Sequence, residues 1–213
     1  MKFSEATVAK KIQVRYAAEA ETSCCLSCGG ALEKGEPQPG EVVIDLGSGR
    51  GNDVLKAALK VGPEGKAYGI DFTEDMIQAA NRNAEKLKVS NTGFLLGKID
   101  DTPVKDSMAD LVISNCTINH AKNKSLVYKE IYRILKPGGR FVVSDVIATE
   151  KLPAAVVADP EAWAGCYGGA IPKEEYFQSV SEGGFDNIEI LEESEPYDKQ
   201  GVMVQSLTIR SNK

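Results

Sequence analysis

The 213-residue sequence has an ordinary globular composition, 42% hydrophobic and 26% charged, so a sizeable buried core is expected. The net charge is −6 and no basic run exceeds Lys10-Lys11, which argues against a nucleic-acid partner because such affinity depends on clustered Lys and Arg. No apolar stretch reaches the length of a membrane span, and no secretory segment opens the chain, so we expect a cytoplasmic protein without a membrane partner.

The predicted elements begin with a helix from about Phe3 to Glu21, and residues 22–40, with three cysteines and several Gly and Pro turn signals, read as a loop. Short β-branched runs then alternate with helical segments. The predicted strands are Val42–Leu46, Ala67–Asp71, Phe94–Leu96, Ala109–Ser114, Arg140–Ile147, Ile188–Leu191 and Val202–Ile209. The predicted helices among them are Asn52–Val61, Glu74–Lys88, Ser125–Leu135 and Pro172–Glu182.

This alternation predicts the fold class. Strands separated by helices indicate right-handed crossovers and a mostly parallel sheet covered on both faces. No helix follows the last strand, so we expect it to pair antiparallel. The prediction is a Rossmann-like, doubly wound α/β fold with seven strands over residues 41–213. Residues 1–40 would form a helix and a cysteine-containing loop that cover the site.

A glycine-rich turn, GSGRG at positions 47–51, follows the first strand, where open parallel sheets bind ligands. The dinucleotide fingerprint G-x-G-x-x-G counted from Gly47 would need glycine at position 52, where the chain has Asn52. Asp45, just before the turn, would repel a pyrophosphate but attract a sulfonium and an α-amino group. The sequence therefore favours a cofactor that is cationic at its reacting end.

Further candidate residues lie at the ends of the neighbouring strands. Asp71 ends the second strand about 20 residues after the glycine turn, where an acidic side chain can accept hydrogen bonds from ribose hydroxyls. Asp100 could reach an adenine amino group while Ile99 packs on the ring. Asn115 and Cys116, at the end of the fourth strand, would lie beside the reacting end of the cofactor.

Five blocks within residues 40–147 carry a resemblance: VVIDLGSGRG, YGIDFTEDM, GKIDD, ADLVISNCTIN and LKPGGRFVVSDV. In this order and spacing they resemble the class I S-adenosylmethionine-dependent methyltransferases. The resemblance implies an enzyme with S-adenosyl-L-methionine as its cofactor, and Tyr16 is either a lid over that cofactor or an ordinary packing residue. The other implied cofactor-binding residues are Asp45, Gly47, Ser48, Gly49, Asp71, Phe72, Ile99, Asp100, Asn115 and Cys116.

The cysteines carry a second resemblance, which concerns the methyl acceptor. The phrases SNCTIN, SDVIATEKLP and WAGCYGGAIPKEEY, with a Cys-Gly step before the first strand, resemble the arsenite methyltransferases. That family holds trivalent arsenic on thiolates from three places, which match Cys166, Cys28 and either Cys25 or Cys24. These four are the implied catalytic residues, with arsenic(III), a substrate and not a metal cofactor, on Cys25, Cys28 and Cys166. A thiol reductant, glutathione or thioredoxin-like, is the implied partner beside the metalloid or other small-molecule substrate.

Arsenic chemistry agrees with this interpretation. Arsenic(III) is soft, and thiolate is the softest side-chain ligand. Three thiolates leave its lone pair free to attack a sulfonium methyl group, and such a nucleophile carries no proton, so no general base is needed. Much of the rate would come from positioning the two reactants, the arsenic and the sulfonium methyl group. The single histidine, His120, is expected at the rim of the site or on the surface.

Three alternatives remain open. Cys25-x-x-Cys28 is also half of a structural zinc site. The chain would equally suit a small-molecule C- or O-methyltransferase acting on a quinone-like or other metabolite, which would not need these cysteines. A thiol-based metalloid-binding protein would hold arsenic(III) without turnover. The region before the Cys-Gly step is shorter than in the arsenite methyltransferases, and their further cysteine on the last strand has no counterpart in Gln205–Arg210.

Overall fold

The computed structural model describes residues 5–19 and 29–213. The first half contains α1 (Glu5–Glu19), α2 (Ala31–Gly35), β1 (Val42–Leu46), α3 (Asn52–Val61), β2 (Lys66–Asp71), α4 (Glu74–Leu87), β3 (Thr92–Leu96) and β4 (Ala109–Asn115). A 3₁₀ turn over Ile118–His120 follows. The second half contains α5 (Lys124–Ile134), β5 (Leu135–Ala148), α6 (Ala154–Val157), α7 (Pro160–Ala164), α8 (Lys173–Glu182), β6 (Glu189–Glu193), β7 (Tyr197–Lys199) and β8 (Val202–Asn212).

The strands form one sheet in the order β3-β2-β1-β4-β5-β8-β6, and β7 pairs with β8. The pairs among β1 to β5 are parallel, whereas β8 is antiparallel to β5, β6 and β7. This arrangement confirms the predicted Rossmann-like fold and its antiparallel C-terminal strand. The main path has the predicted seven strands, and the short strand β7 adds an eighth. The strand order reverses between β1 and β4, which opens a crevice at the carboxyl ends of those strands.

Both faces of the sheet are buried. Ile44 and Leu46 of β1 face one core cluster with side chains of α5 and α8, whereas Val43 faces a second cluster with α2 and α3. Successive side chains of a strand point to opposite faces, so an uninterrupted apolar run is the expected sequence of a strand covered on both sides. The same alternation separates Val112 of β4 from Leu111.

The differences from the sequence prediction are local. Residues 22–40 are not all loop, because Ala31 and Leu32 are buried and form the single turn of α2. The strand after α5 begins at Leu135, before the predicted Arg140, and its Pro-Gly-Gly segment pairs with the chain end through Lys213. The short helices α6 and α7 and the three-residue strand β7 were not predicted, because such pieces are too short to show a period.

None of the described helices is long and apolar enough to cross a membrane.

Candidate active site

A cavity of about 740 Å³ opens at the carboxyl ends of β1, β2, β4 and β5. This is the edge at which the sequence places its candidate residues, and most of them line the cavity. The predicted residues in its wall are Tyr16, Asp45, Gly47, Ser48, Gly49, Asp71, Phe72, Ile99, Asn115, Cys116 and Cys166.

The glycine turn after β1 forms the floor of this cavity. Gly47 has a φ of +77°, and a Cβ built there would lie 2.2 Å from Thr117 Oγ1, so this position admits only glycine. The backbone N–H groups of Gly47 and Ser48 both donate to the carbonyl of Ile70, at 2.8 and 3.0 Å, and so tie the turn to β2. A Cβ at Gly49 would meet nothing within 4 Å, so the backbone of Gly49 borders open space.

Three carboxylates form an acidic wall beside the turn. Asp45 is 4% exposed, and burial raises its pKa well above the ordinary range, with further contributions from Asp53 and Asp71. Burial also raises the pKa of Asp71, although its carboxylate accepts backbone N–H groups from Gly49 and Thr73 at 2.9 Å each. Crowded, buried negative charge at one end of a cavity favours a cationic ligand.

Asn115 connects this wall to the segment before β1. Its Nδ2 donates to Asp53 Oδ2 at 3.0 Å, and its Oδ1 accepts the backbone N–H of Ala31 at 3.2 Å. The chain passes so close here that a Cβ at Gly29 would lie 2.4 Å from Asn115 Oδ1 and 2.5 Å from Ser144 Cβ. The first described residue after the three N-terminal cysteines is therefore packed on two residues that line the cavity.

Cys166 lies just after α7 and also lines the cavity. Its backbone has a φ of +63°, and its Sγ is 3.2 Å from Tyr16 Oη and 3.3 Å from His120 Nε2. Burial raises the pKa of the Cys166 thiol, and the hydrogen bond with Tyr16 lowers it. Burial and the charges of Arg15 and Lys124 lower the pKa of His120 to about 4, so its ring is neutral near pH 7.

The first helix lies across this side of the cavity. Val8 and Ile12 pack against Trp163 of α7, and Tyr16 extends the same cluster to Phe72 after β2. Arg15 Nη1 also donates a hydrogen bond of 2.7 Å to the carbonyl of Ala164 in α7. Helix α1 thus contacts both the segment that carries Cys166 and the residues after β2.

Some predictions have a different outcome. Cys24, Cys25 and Cys28 lie outside the described residues. Asp100 is exposed and is not part of the cavity wall, whereas Ile99 is. His120 contacts Cys166 inside the cavity, which places it deeper than the rim or surface position expected for it.

Several residues of the cavity wall were not predicted from the sequence. Asp53 lies at the start of α3, two residues beyond the glycine turn, and a carboxylate at that position indicates a residue of the site. Asp145 interrupts an apolar strand, which was a second signal. Other unpredicted residues of the wall come from the β7–β8 hairpin, Tyr197, Lys199 and Gln200, where nothing in the sequence indicated the short strand β7.

Comparison with known proteins shows which proteins the sequence and fold are similar to. The model of a family described as methyltransferase domain matches residues 37–193. An arsenite methyltransferase of Halobacterium salinarum is 41% identical over 170 residues, which are 80% of this chain and 44% of that protein. One of Aquipseudomonas alcaligenes is 34% identical over 158 residues, which are 71% of this chain and 46% of that protein. The chain thus spans less than half the length of these relatives.

A solved structure is similar over more of its length. The crystal structure of an arsenic(III) S-adenosylmethionine methyltransferase from Chlamydomonas reinhardtii has a TM-score of 0.78 and 29% identity, covering 95% of this chain and 73% of that one. The family model alone covers most of the sheet and the glycine turn. The chain therefore belongs to the methyltransferase domain family.

Proposed function

We propose that this chain transfers a methyl group from S-adenosylmethionine to trivalent arsenic held by cysteine thiolates, giving a methylarsenical and S-adenosylhomocysteine. The observation that carries the proposal is that one cavity joins an acidic wall at the end of β1 to the thiol of Cys166. The similarity to arsenite methyltransferases over 80% of the chain supports arsenic as the acceptor.

The residues at the acidic wall suit this cofactor. Asp45 and Asp53 supply negative charge where a sulfonium and an ammonium group would be stabilised. Each carboxylate oxygen of Asp71 accepts one backbone N–H and keeps lone-pair capacity for a ribose hydroxyl. When bound, the cofactor supplies an electrophilic methyl group. The proposed cofactor-binding residues are Tyr16, Asp45, Gly47, Ser48, Gly49, Asp71, Phe72, Ile99, Asn115 and Cys116, with Asp100 retained for the adenine edge.

The thiol side holds the acceptor. Cys166 would bind arsenic together with Cys28 and one of Cys24 and Cys25, because soft ligands select a soft ion. Tyr16 and His120 contact the Cys166 thiol and orient it toward the cavity. Arsenic attacks through its lone pair and loses no proton, so the protein needs to position the two reactants and exclude water. A thiol reductant, glutathione or thioredoxin-like, would keep the cysteines reduced.

Residues 1–40 would cover the site, and residues 41–213 would form the methyltransferase domain proper. The contacts of α1 with α7 support the first part of this division. The packing of Gly29 on Asn115 and Ser144 also supports the covering role, since it brings the segment that follows Cys28 in the sequence onto the domain. This close approach leads to a test.

Gly29→Ala is expected to lower methylation of arsenite about five-fold and Tm by several degrees, because the added methyl group overlaps Asn115 and Ser144. Gly30→Ala is the matched control: a Cβ there would meet only Lys34 Cε, at 3.8 Å. Initial rates and thermal melts of both variants are compared with those of the wild type. Equal rates for the two variants would show that the approach of Gly29 has no part in placing the loop.

Product analysis is the experiment that tests the proposed function. The purified chain is incubated with S-adenosylmethionine, arsenite and a thiol reductant, and arsenic species are separated and quantified. We expect a methylarsenical and an equivalent amount of S-adenosylhomocysteine. A variant with Cys24, Cys25 and Cys28 all replaced by serine is run alongside and is expected to be inactive.

The two other candidate functions give different results in the same experiment. A metabolite C- or O-methyltransferase would form no methylarsenical, and its activity on a phenolic or quinone-like acceptor would survive the triple serine replacement. A metalloid-binding protein would retain arsenite on the wild type through dialysis and yield no S-adenosylhomocysteine. Either result would overturn arsenic methylation as the function.

A further inference from the structure

Two side chains from other elements donate hydrogen bonds to backbone carbonyls of the turn that carries Cys166. Lys124 Nζ, at the start of α5, donates to the carbonyl of Gly169 at 2.6 Å. Asn119 Nδ2, in the 3₁₀ turn after β4, donates to the carbonyl of Cys166 at 3.3 Å. Both donors belong to buried residues, 4% and 0% exposed. The carbonyl groups on both sides of the Cys166–Gly169 turn are therefore bound by side chains that are distant in sequence.

The position of Lys124 is unfavourable by local rules. It is the first residue of α5, where the helix dipole disfavours a positive charge. Lysine is also rarely buried unless it is paired, and burial lowers the pKa of Lys124 to about 8. An apolar side chain of similar length would carry neither cost. The group that this lysine provides is a long, buried donor for the Gly169 carbonyl.

Asp145 joins both side chains to the sheet. Its carboxylate accepts the backbone N–H and the Nδ2 of Asn119 at 3.1 and 2.9 Å, and its charge stabilises the protonated form of Lys124. Asp145 is 2% exposed and lies on β5, where it also lines the cavity. Buried hydrogen bonds of this kind restrain the groups that they join. It connects the cavity wall at β5 directly to the Cys166 turn.

The turn needs such support. Cys166 has a left-handed backbone conformation, which is unfavourable for a non-glycine residue and persists only when its surroundings enforce it. Gly169 passes so close to the 3₁₀ turn that a Cβ there would lie 2.0 Å from the carbonyl oxygen of Asn119. If the two donors were removed, Cys166 could relax toward an ordinary backbone conformation, and its Sγ would leave its place between Tyr16 and His120.

We infer that Lys124 and Asn119 are positioning residues that hold the Cys166 turn, and with it the Cys166 thiol, in the orientation required to present arsenic(III). The inference rests on the proposed function in that Cys166 is an acceptor-binding thiol. Neither residue lines the cavity, so their effect on the reaction acts through Cys166.

The test compares Lys124→Met with Lys129→Met, an identical change at an exposed lysine on the same helix. The main readout needs no arsenic. It is the alkylation ratio, defined as the rate at which iodoacetamide alkylates Cys166 divided by the rate for Cys116 in the same molecule, and both rates are measured by peptide mass spectrometry. We expect Lys124→Met to raise this ratio about five-fold, because the loosened turn opens more often. Lys129→Met should leave the ratio at the wild-type value. Lys124→Arg keeps a cationic donor and should therefore give a ratio close to that of the wild type.

A kinetic readout separates positioning from general destabilisation. Lys124→Met is expected to lower kcat for arsenite methylation about ten-fold while KM for S-adenosylmethionine stays within about two-fold. Asn119→Ser removes the second donor and should raise the alkylation ratio in the same direction, so the test does not depend on one variant folding. Wild-type alkylation ratios in both variants would overturn the inference. If the wild type forms no methylarsenical, the proposed function fails, and the alkylation ratio still decides whether the two residues hold the turn.

Discussion

Cys166→Ser is expected to reduce methylarsenical formation by about a hundred-fold or more, because serine is close in size but is a hard, protonated ligand with little affinity for arsenic(III). The hydroxyl can still lie near Tyr16 Oη and His120 Nε2, which contact Sγ at 3.2 and 3.3 Å, so the turn should be preserved. The affinity for S-adenosylmethionine should change less than about two-fold, since the Cys166 thiol contacts Tyr16 and His120, whereas the charge that attracts the cofactor comes from the acidic wall.

Two measurements on the same preparation check this prediction. Calorimetric titration gives Kd for the cofactor, and product analysis gives the rate of methylation. A large loss of rate with an unchanged Kd assigns the effect to the acceptor. Retention of the wild-type rate would remove Cys166 from the set of arsenic ligands, and a parallel loss of cofactor affinity would indicate that the substitution disturbs the whole cavity.

Asp45→Asn is expected to weaken S-adenosylmethionine binding about thirty-fold or more, because it removes a buried negative charge opposite a cation and keeps the shape of the side chain. The same change should raise the Tm of the ligand-free protein. Burial, Asp53 and Asp71 raise the pKa of Asp45 in the folded chain, so at neutral pH its ionised form destabilises the fold. Asparagine carries no such penalty.

The pH dependence follows from the direction of that shift. Only ionised Asp45 attracts the cation, and its pKa is raised, so wild-type affinity should fall as pH decreases through a range above the ordinary carboxylate pKa. Titrations at several pH values should show this loss in the wild type and a flatter profile in Asp45→Asn. Asp186→Asn, at an exposed carboxylate before β6, is the control and should match the wild type in both Kd and Tm. Equal cofactor affinity of the Asp45 variant and the wild type would exclude Asp45 from the cofactor site.

Much of the fold could be predicted from the sequence, because its signals are local. The β-branched run of β1, continuous because both faces are covered, predicted a buried strand at its true position. The helices α3 and α4 also end within one residue of their predicted limits. The glycine turn and Asp71 were identifiable for the same reason: in a parallel sheet the residues that follow each strand meet at one edge.

The assembly of the thiol side was decided by the tertiary structure alone. Tyr16 and Cys166 are 150 residues apart, and His120 and Cys166 are 46 apart, and no periodicity or turn signal in the sequence encodes their contacts. The network of Lys124, Asn119 and Asp145 is equally non-local, and by local preference a lysine at a helix start would be placed in solvent. By itself the sequence determined the sheet, the glycine turn and the acidic residues at the strand ends, since backbone preference and burial act over a few residues. Which side chains surround Cys166 depended on how α1, α5 and α7 pack over that sheet, because contacts between distant segments exist only once the chain has folded.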